Sequence, residues 1–380
     1  MSVCIIHNIL WSKYKAAVFN ELQCISIKSN VSMKFVQIAE TENDRIGLSS
    51  VDKECHKYDY KLLCSGSIEK NSWIKRSSRL INYLESQEWR LVVIPGYYRP
   101  EYWAALMYCL LKGIKIGLFC DSTYSDAYTH GLRLLLKRFF VRFCDVYFAY
   151  GIRSHEYLVF LGADPNRIKT RCQAAALPSN YSPEEIIRKR IKKRNLESAC
   201  TVLYVGRLSP EKDLITLLNA WKVVSVKWPS ASLDIIGSGP QERDLKLLVE
   251  SMGLLSRVRF LGAKDIDTIY DAYTSSDLLV LPSMREPWGL VVNEALSFGC
   301  PVVVSDRCGC VPELVHDGKS GFQFRAGDAE DLSDKIDRAL DHFSKNDDYA
   351  SYCIELMRAY TSANAAQQIL AGCQSALART

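Results

Sequence analysis

"CTVLYVGRLSPEKDLITLLNAWKVVSVKW", residues 200–228, starts a pattern that the chain has already used once. An apolar run of strand length ends at Gly206, and a polar turn with Pro210 follows it. From Asp213, "DLITLLNAWKVVSVKW" reads as a helix. The unit then repeats. "ASLDIIGSG" is a strand and "PQERDLKLLVESMG" a helix; "VRFLG", "LLVLPS" and "CPVVVSD" are three more strands. The first half carries the same alternation. "VCIIHNIL", "SMKFVQIAE", "RLVVIPGY", "KIGLFCDS", "DVYFAYG" and "RIKTRCQ" read as strands, and "KYKAAVFNELQCIS", "WIKRSSRLINYLESQ" and "EYWAALMYCLLKG" as helices. Strands that are apolar throughout, with helices between them, predict parallel sheets covered on both faces. Two such series predict an α/β protein with two doubly wound domains and a ligand crevice at the C-terminal strand ends.

Length and composition agree. At 380 residues the chain suggests two domains on a prior of ~150 residues each. It is 48% hydrophobic and 24% charged, as soluble globular proteins are. The short apolar start "MSVCIIHNIL" reads as a strand rather than a signal peptide, and no uncharged apolar run is long enough for a membrane span. Together with 14 scattered cysteines, this predicts a reduced, cytoplasmic protein. Cys300, Cys308 and Cys310 lack a fourth ligand at metal-site spacing and read as core residues. The net charge of +5 hides an asymmetry: residues 1–198 carry +11 and residues 199–380 carry −6. A basic first half points to an anionic partner. "LPSNYSPEEIIRKRIKKRN" divides the halves, with a linker over 178–183 and a basic surface helix over 184–197. No aromatic residue interleaves its charges, so it reads as a solvated face and not a nucleic-acid site.

Several stretches carry chemistry. Arg207 ends the first strand of the second half and Lys212 lies near the next helix, a placement suited to a diphosphate. In "IIGSGPQERDL", Gly237 and Gly239 begin a dinucleotide fingerprint, but Glu242 takes the third glycine position. The nicotinamide reading therefore fails, and a tight turn with or without a nucleotide beside it remains. In "KDID", Asp265 reads as a helix N-cap rather than a metal ligand. "REPWGLVVNEAL", residues 285–296, places Glu286 on a loop and Glu294 one turn inside a helix that Gly299 ends. The backbone N–H groups of Gly289, Leu290 and Val291 then open that helix and favour a phosphate. Glu286 would meet the group joined to the phosphate, and Glu294 a polyol such as ribose.

With these residues in place, the chain resembles the retaining glycosyltransferases of family 4. The resemblance runs from about Thr201 to Phe324 through "YVGRLSPEKDL", "IIGSGP", "RFLG", "DLLVLPS", the two glutamates and "GCPVVVSDRCGCVPELVHDGKSGF". It implies the GT-B fold, two Rossmann-like domains facing each other across a central cleft. The composition break divides them at 1–180 and 181–357, and the tail over 358–380 reads as a helix that could pack back towards the first domain. The resemblance implies a nucleotide-diphosphate sugar, UDP- or GDP-linked, as donor substrate, with no cofactor and no metal. Arg207 and Lys212 match the cations that hold the diphosphate. Glu286 matches the acid on the donor sugar, Glu294 the acid on the ribose, and Leu290 and Val291 the backbone donors. Gly237 falls in the nucleotide turn. The first half departs from the family. "NILWSKYK" stands where many members have a glycine pair, and "AAALPSN" where they have Asn-Gly-Val-Asp. "GLFCDSTYSD" stands where they have a histidine, which makes Asp121 the candidate substitute.

The implied activity is transfer of a sugar to a glycan or lipid-linked glycan in cell-surface polysaccharide synthesis, such as lipopolysaccharide. A sugar-nucleotide epimerase and a non-catalytic nucleotide-sugar-binding subunit are the alternatives. Residues 131–143, "GLRLLLKRFFVRF", set Arg133, Lys137, Arg138 and Arg142 among Leu and Phe. This segment fits either a helix lying on an anionic membrane or one whose apolar side covers the sheet. The charge of the first half favours the membrane and a peripheral location on its inner face.

Overall fold

Residues 2–45, 51–125, 130–196, 200–346 and 348–379 are described by a computed structural model. The first sheet is parallel and holds β1 (Ser2–Ile9), β2 (Ser32–Ala39), β3 (Tyr60–Leu62), β4 (Leu91–Ile94), β5 (Lys115–Cys120), β6 (Val146–Ala149) and β7 (Ile168–Lys169), in the order β3-β2-β1-β4-β5-β6-β7. The predicted runs form its centre; β4 and β6 are buried at every residue, as strands covered on both faces must be. Sequence reading missed β3, a three-residue edge strand with polar neighbours. Helices α1 (Lys13–Lys28), α2 (Trp73–Glu85), α3 (Pro100–Lys112), α4 (Gly131–Arg142) and α5 (Ile152–Leu161) connect the strands. Arg76 of α2 grips Glu101 of α3 through two bonds of 2.8 and 3.1 Å, a buried ion pair that fixes the two helices together.

A second unit spans Leu177–Ala359. It opens with α6 (Pro183–Leu196) and contains β8 (Thr201–Val205), α7 (Leu214–Lys227), β9 (Ser232–Ile236), α8 (Glu242–Ser251), β10 (Val258–Gly262), α9 (Ile266–Ser275), β11 (Leu278–Leu281), α10 (Leu290–Ser297), β12 (Val302–Ser305), α11 (Val311–Leu314), β13 (Gly321–Phe324), α12 (Ala329–Lys345) and α13 (Tyr349–Met357). The sheet runs β10-β9-β8-β11-β12-β13, all parallel. Strand order reverses between β8 and β11, where Val202 pairs with Leu278. Helices leave the two strands in opposite directions, so a crevice opens at their C-terminal ends. Asp265 caps α9, accepting from the Thr268 N–H at 2.8 Å. The last helix, α14 (Ser362–Ala378), belongs to the first unit, which comprises Met1–Ala176 and Tyr360–Thr380. It packs Ala366, Ile369 and Cys373 into the cluster that holds Phe19 and Leu22 of α1. Lys115 donates to the Ala376 carbonyl at 2.8 Å near its C-terminal end.

The basic helix α6 corrects one expectation; its last predicted residue, 197, lies outside the described residues. Arg190 is not part of a solvated face. It is buried, and its guanidinium donates to the carbonyls of Tyr273 (2.9 Å), Thr274 (3.0 Å) and Ser276 (2.8 Å). One cation thus satisfies the open end of α9, where helix carbonyls lack internal partners. Arg190→Ala takes this donor from the Tyr273 and Thr274 carbonyls and leaves the Ser276 carbonyl only the Cys300 thiol. Chemical denaturation should show a loss of about 2–4 kcal/mol for the second unit.

Candidate active site

Two loops meet at the strand reversal. After β8 the chain turns through Gly206, Arg207 and a short helical turn, Pro210–Lys212. After β11 it runs from Pro282 to Gly289. The Met284 N–H donates to the Glu211 carbonyl at 2.9 Å, which stitches one loop to the other. The stitch brings Lys212 to Glu286, and their ammonium and carboxylate form a short ion pair with both side chains mostly shielded. Ser283 also reaches the Glu286 carboxylate, at 3.5 Å. Arg207 pairs with Glu211 at 2.7 Å, and the Ser209 hydroxyl donates to the same carboxylate oxygen at 2.7 Å. Burial pushes the Glu211 carboxyl up, but Ser209, a backbone N–H and Arg207 outweigh it and hold the acid below its ordinary range. Glu211 was not singled out in the sequence, although it sits between Pro210 and Lys212.

The loop after β11 is held from its other side as well. Gly309 donates to the Glu286 carbonyl at 2.9 Å and Cys310 to the Trp288 carbonyl at 3.0 Å. Trp288 itself is buried and donates through Nε1 to Asn293 at 2.7 Å, so its ring packs inside the unit. Gly289 precedes α10 with φ +99° and ψ 63°, a left-handed conformation that a side chain would strain. It brings no capping side chain to α10. The first-turn N–H groups of Leu290 and Val291 have no helical carbonyl four residues earlier, so this is the electropositive end of the helix.

Glu294 lies one turn further in and belongs to a separate network. It accepts from the Tyr273 hydroxyl of α9 at 2.7 Å. Burial pushes its carboxyl up to about 7, against the pull of the Tyr273 bond. Tyr273 escaped sequence reading, since nothing in "DTIYDAYTSSD" tells a core tyrosine from one bonded to an acid. The two glutamates therefore do not form a proton-sharing pair. Each answers to its own partner on a different element.

Gly237 follows β9 with φ +138°, and a Cβ there would lie 1.8 Å from the Gly206 carbonyl oxygen. The close approach is to the neighbouring loop: Leu208 donates to the Ser238 carbonyl at 3.0 Å. Gly237 thereby holds the Arg207 loop in place. Asp121 lies in the other unit, exposed at the end of β5, with its carbonyl accepting from the Ser154 hydroxyl at 3.2 Å. Of the predicted residues, Arg207, Lys212, Gly237, Glu286, Gly289, Leu290, Val291 and Glu294 all belong to the second unit.

Comparison with known proteins first places the fold. An Anabaena protein, HepE, solved with UDP-glucose, superimposes with a TM-score of 0.73 at 18% identity, over 99% of this chain and 100% of that one. The sucrose-phosphate synthase of Thermosynechococcus elongatus gives 0.76 at 18% identity, over the whole of both chains. The protein therefore has the two-domain, parallel-sheet Rossmann-like architecture of GT-B proteins. Residues 185–355 match the profile of the family described as glycosyl transferases group 1. The chain is 41% identical over 144 residues to the sulfoquinovosyl transferase of Arabidopsis thaliana, covering 37% of this chain and 26% of that protein. It is 33% identical over 176 residues to the D-inositol 3-phosphate glycosyltransferase of Rhodococcus jostii, covering 44% and 38%. The chain thus spans less than half the length of these relatives.

Glu294 makes a prediction about stability. Its carboxyl binds a proton more tightly in the native state, at about 7, than the ordinary glutamate at 4.5. The stability it contributes is complete below pH 4.5 and is lost as pH rises through 7. Glu294→Gln removes that dependence. Thermal melts of unliganded protein should show the variant gaining on the wild type between pH 5 and pH 8.

Proposed function

We propose that the protein is a retaining glycosyltransferase that moves a sugar from a UDP- or GDP-sugar to a glycan or lipid-linked glycan acceptor. The observation that carries this reading is the Lys212–Glu286 pair, set at the strand reversal beside the uncapped start of α10. The relatives support it, since residues 185–355 match the glycosyl transferases group 1 profile, the similar proteins bear glycosyltransferase names and HepE was solved with UDP-glucose.

The chemistry follows from the placement. The donor diphosphate lies against the Leu290 and Val291 N–H groups, with Arg207 and Lys212 supplying positive charge. As the bond from the sugar to the diphosphate breaks, negative charge grows on the departing oxygen. The cations and the helix N-terminus stabilise it more than they stabilise the ground state. Arg207 and Lys212 supply this charge without a metal ion. Glu286 holds the sugar hydroxyls and keeps the Lys212 ammonium in position before the donor arrives. Glu294 accepts from the ribose hydroxyls. The acceptor hydroxyl attacks the sugar carbon on the face the diphosphate leaves, and its proton passes to the departing phosphate oxygen. This retains the anomeric configuration without an enzyme nucleophile.

Thermal-shift screening with UDP- and GDP-linked sugars should identify a donor that raises stability. With that donor, Lys212→Ala and Glu286→Ala should each lower the transfer rate by about 10²–10³ while leaving the melting profile of the unliganded protein cooperative. Transfer that survives either change would disprove the site. Consumption of donor with no acceptor present would mark an epimerase instead.

Ribose binding selects ionised Glu294. Affinity for the free nucleoside diphosphate should fall roughly tenfold between pH 7.5 and pH 6, measured by calorimetry. Tyr273→Phe removes a bond that favours the ionised acid, so the midpoint of that fall should move to higher pH. An affinity independent of pH in both proteins would argue against contact between Glu294 and the nucleotide.

A further inference from the structure

Helix α4 has two apolar faces, and the first unit uses only one. Phe140 and Val141 are buried in the core with the α2, α3 and α5 side chains, and Leu134 packs against them. On the opposite side Leu132, Leu135, Leu136, Phe139 and Phe143 are exposed, from 37% for Phe143 to 72% for Leu132. Their spacing of i, i+3, i+4, i+7 and i+11 makes a continuous stripe, roughly 100° wide. The stripe does not end with α4. Trp103 of α3 stacks on Phe139 with ring centroids 6.4 Å apart, and Met107, Leu110 and Leu111 continue outward along α3, with Leu111 81% exposed. The sequence had left open whether the apolar side of this helix covers the sheet. Part of it does, and a second apolar stripe faces solvent.

The exposed charges that α3 and α4 themselves carry have one sign. Arg133, Arg138 and Arg142 are exposed on α4 and Lys112 is exposed at the end of α3. α4 has no carboxylate, and Glu101, the one acid of α3, is buried beneath Arg76. A second copy of the chain pairing through this face would bring arginine rows together with no acid from either helix to neutralise them. An anionic lipid surface offers the missing charge and takes the leucines and phenylalanines into its acyl boundary. No helix among the described residues is long and apolar enough to cross a membrane, so the helix would lie in the interface.

We propose that α3 and α4 form a docking face for anionic membranes. The inference deepens the lipid-linked acceptor reading and rests on it for its purpose, but its test uses neither donor nor acceptor. Full-length protein is sedimented with vesicles of phosphatidylcholine alone and with vesicles containing phosphatidylglycerol. The wild type should pellet with the anionic vesicles and bind them at least roughly thirtyfold more weakly as Arg138→Glu/Arg142→Glu. Leu135→Ser/Phe139→Ser should lose binding even at low salt, where charge alone would act. Nucleotide-diphosphate binding should be unchanged in both variants and unfolding should stay cooperative, since the changed residues belong to the first unit and are largely exposed. Wild-type protein that stays in solution with anionic vesicles overturns the proposal, as do variants that bind like the wild type. A wild-type dimer in solution that Leu135→Ser/Phe139→Ser dissociates would assign the face to a second copy, which also overturns it. Loss of transfer activity in the Lys212 or Glu286 variants leaves vesicle binding intact, so the two readings fail separately.

Discussion

The reversal of strand order between β8 and β11 is the constraint on which the candidate site depends. Adjacent parallel strands whose helices depart to opposite faces leave their C-terminal ends uncovered. Both following loops must then find backbone partners near one another or remain open to water. Here they find each other, through the Met284 N–H and the Glu211 carbonyl. The side chains that follow on each loop, Lys212 and Glu286, meet as a consequence.

The glycines of this region owe their positions to the protein's own backbone as much as to any ligand. A side chain at 237 would meet the Gly206 carbonyl at 1.8 Å, so the two loops approach only because glycine stands there. At 289 the left-handed backbone turns the chain from the loop into α10 without a capping side chain. A fingerprint with two of its glycines thus has a structural cause, and its missing third glycine is no defect in packing. Glu294 shows the complementary lesson. The field at an acid depends on what surrounds it, and its elevated pKa arises from burial against α9, whose open end is tied by Arg190 from a helix some eighty positions earlier.

Much of the fold was legible because buried parallel strands are uninterrupted apolar runs, and "LVVI", "LLVL" and "VVVS" admit few other readings. Segments that went unread lack that signal: β3 has three residues and polar neighbours, and β13 begins at a glycine within a turn-rich stretch. Turn chemistry and spacing singled out the candidate residues Arg207, Lys212, Glu286 and Glu294. Their partners were less so. Tyr273 lies twenty-one positions from Glu294, and contacts of that range leave no local pattern.

By itself, the sequence determined the two βα series, the break between them and the loops that carry charge at the strand ends. These follow from local properties: apolar runs, turn residues and the missing N–H and Cβ of proline and glycine. Only the tertiary structure decided that Arg190 turns inward to the carbonyls at the end of α9, that Lys212 reaches Glu286, and that α4 buries Phe140 while leaving Phe139 outside. Each of these depends on which neighbour occupies the space beside a side chain. A cation in a basic run looks the same in sequence whether solvent or a helix end awaits it. An apolar stripe likewise has no direction until the sheet beneath the helix has been covered.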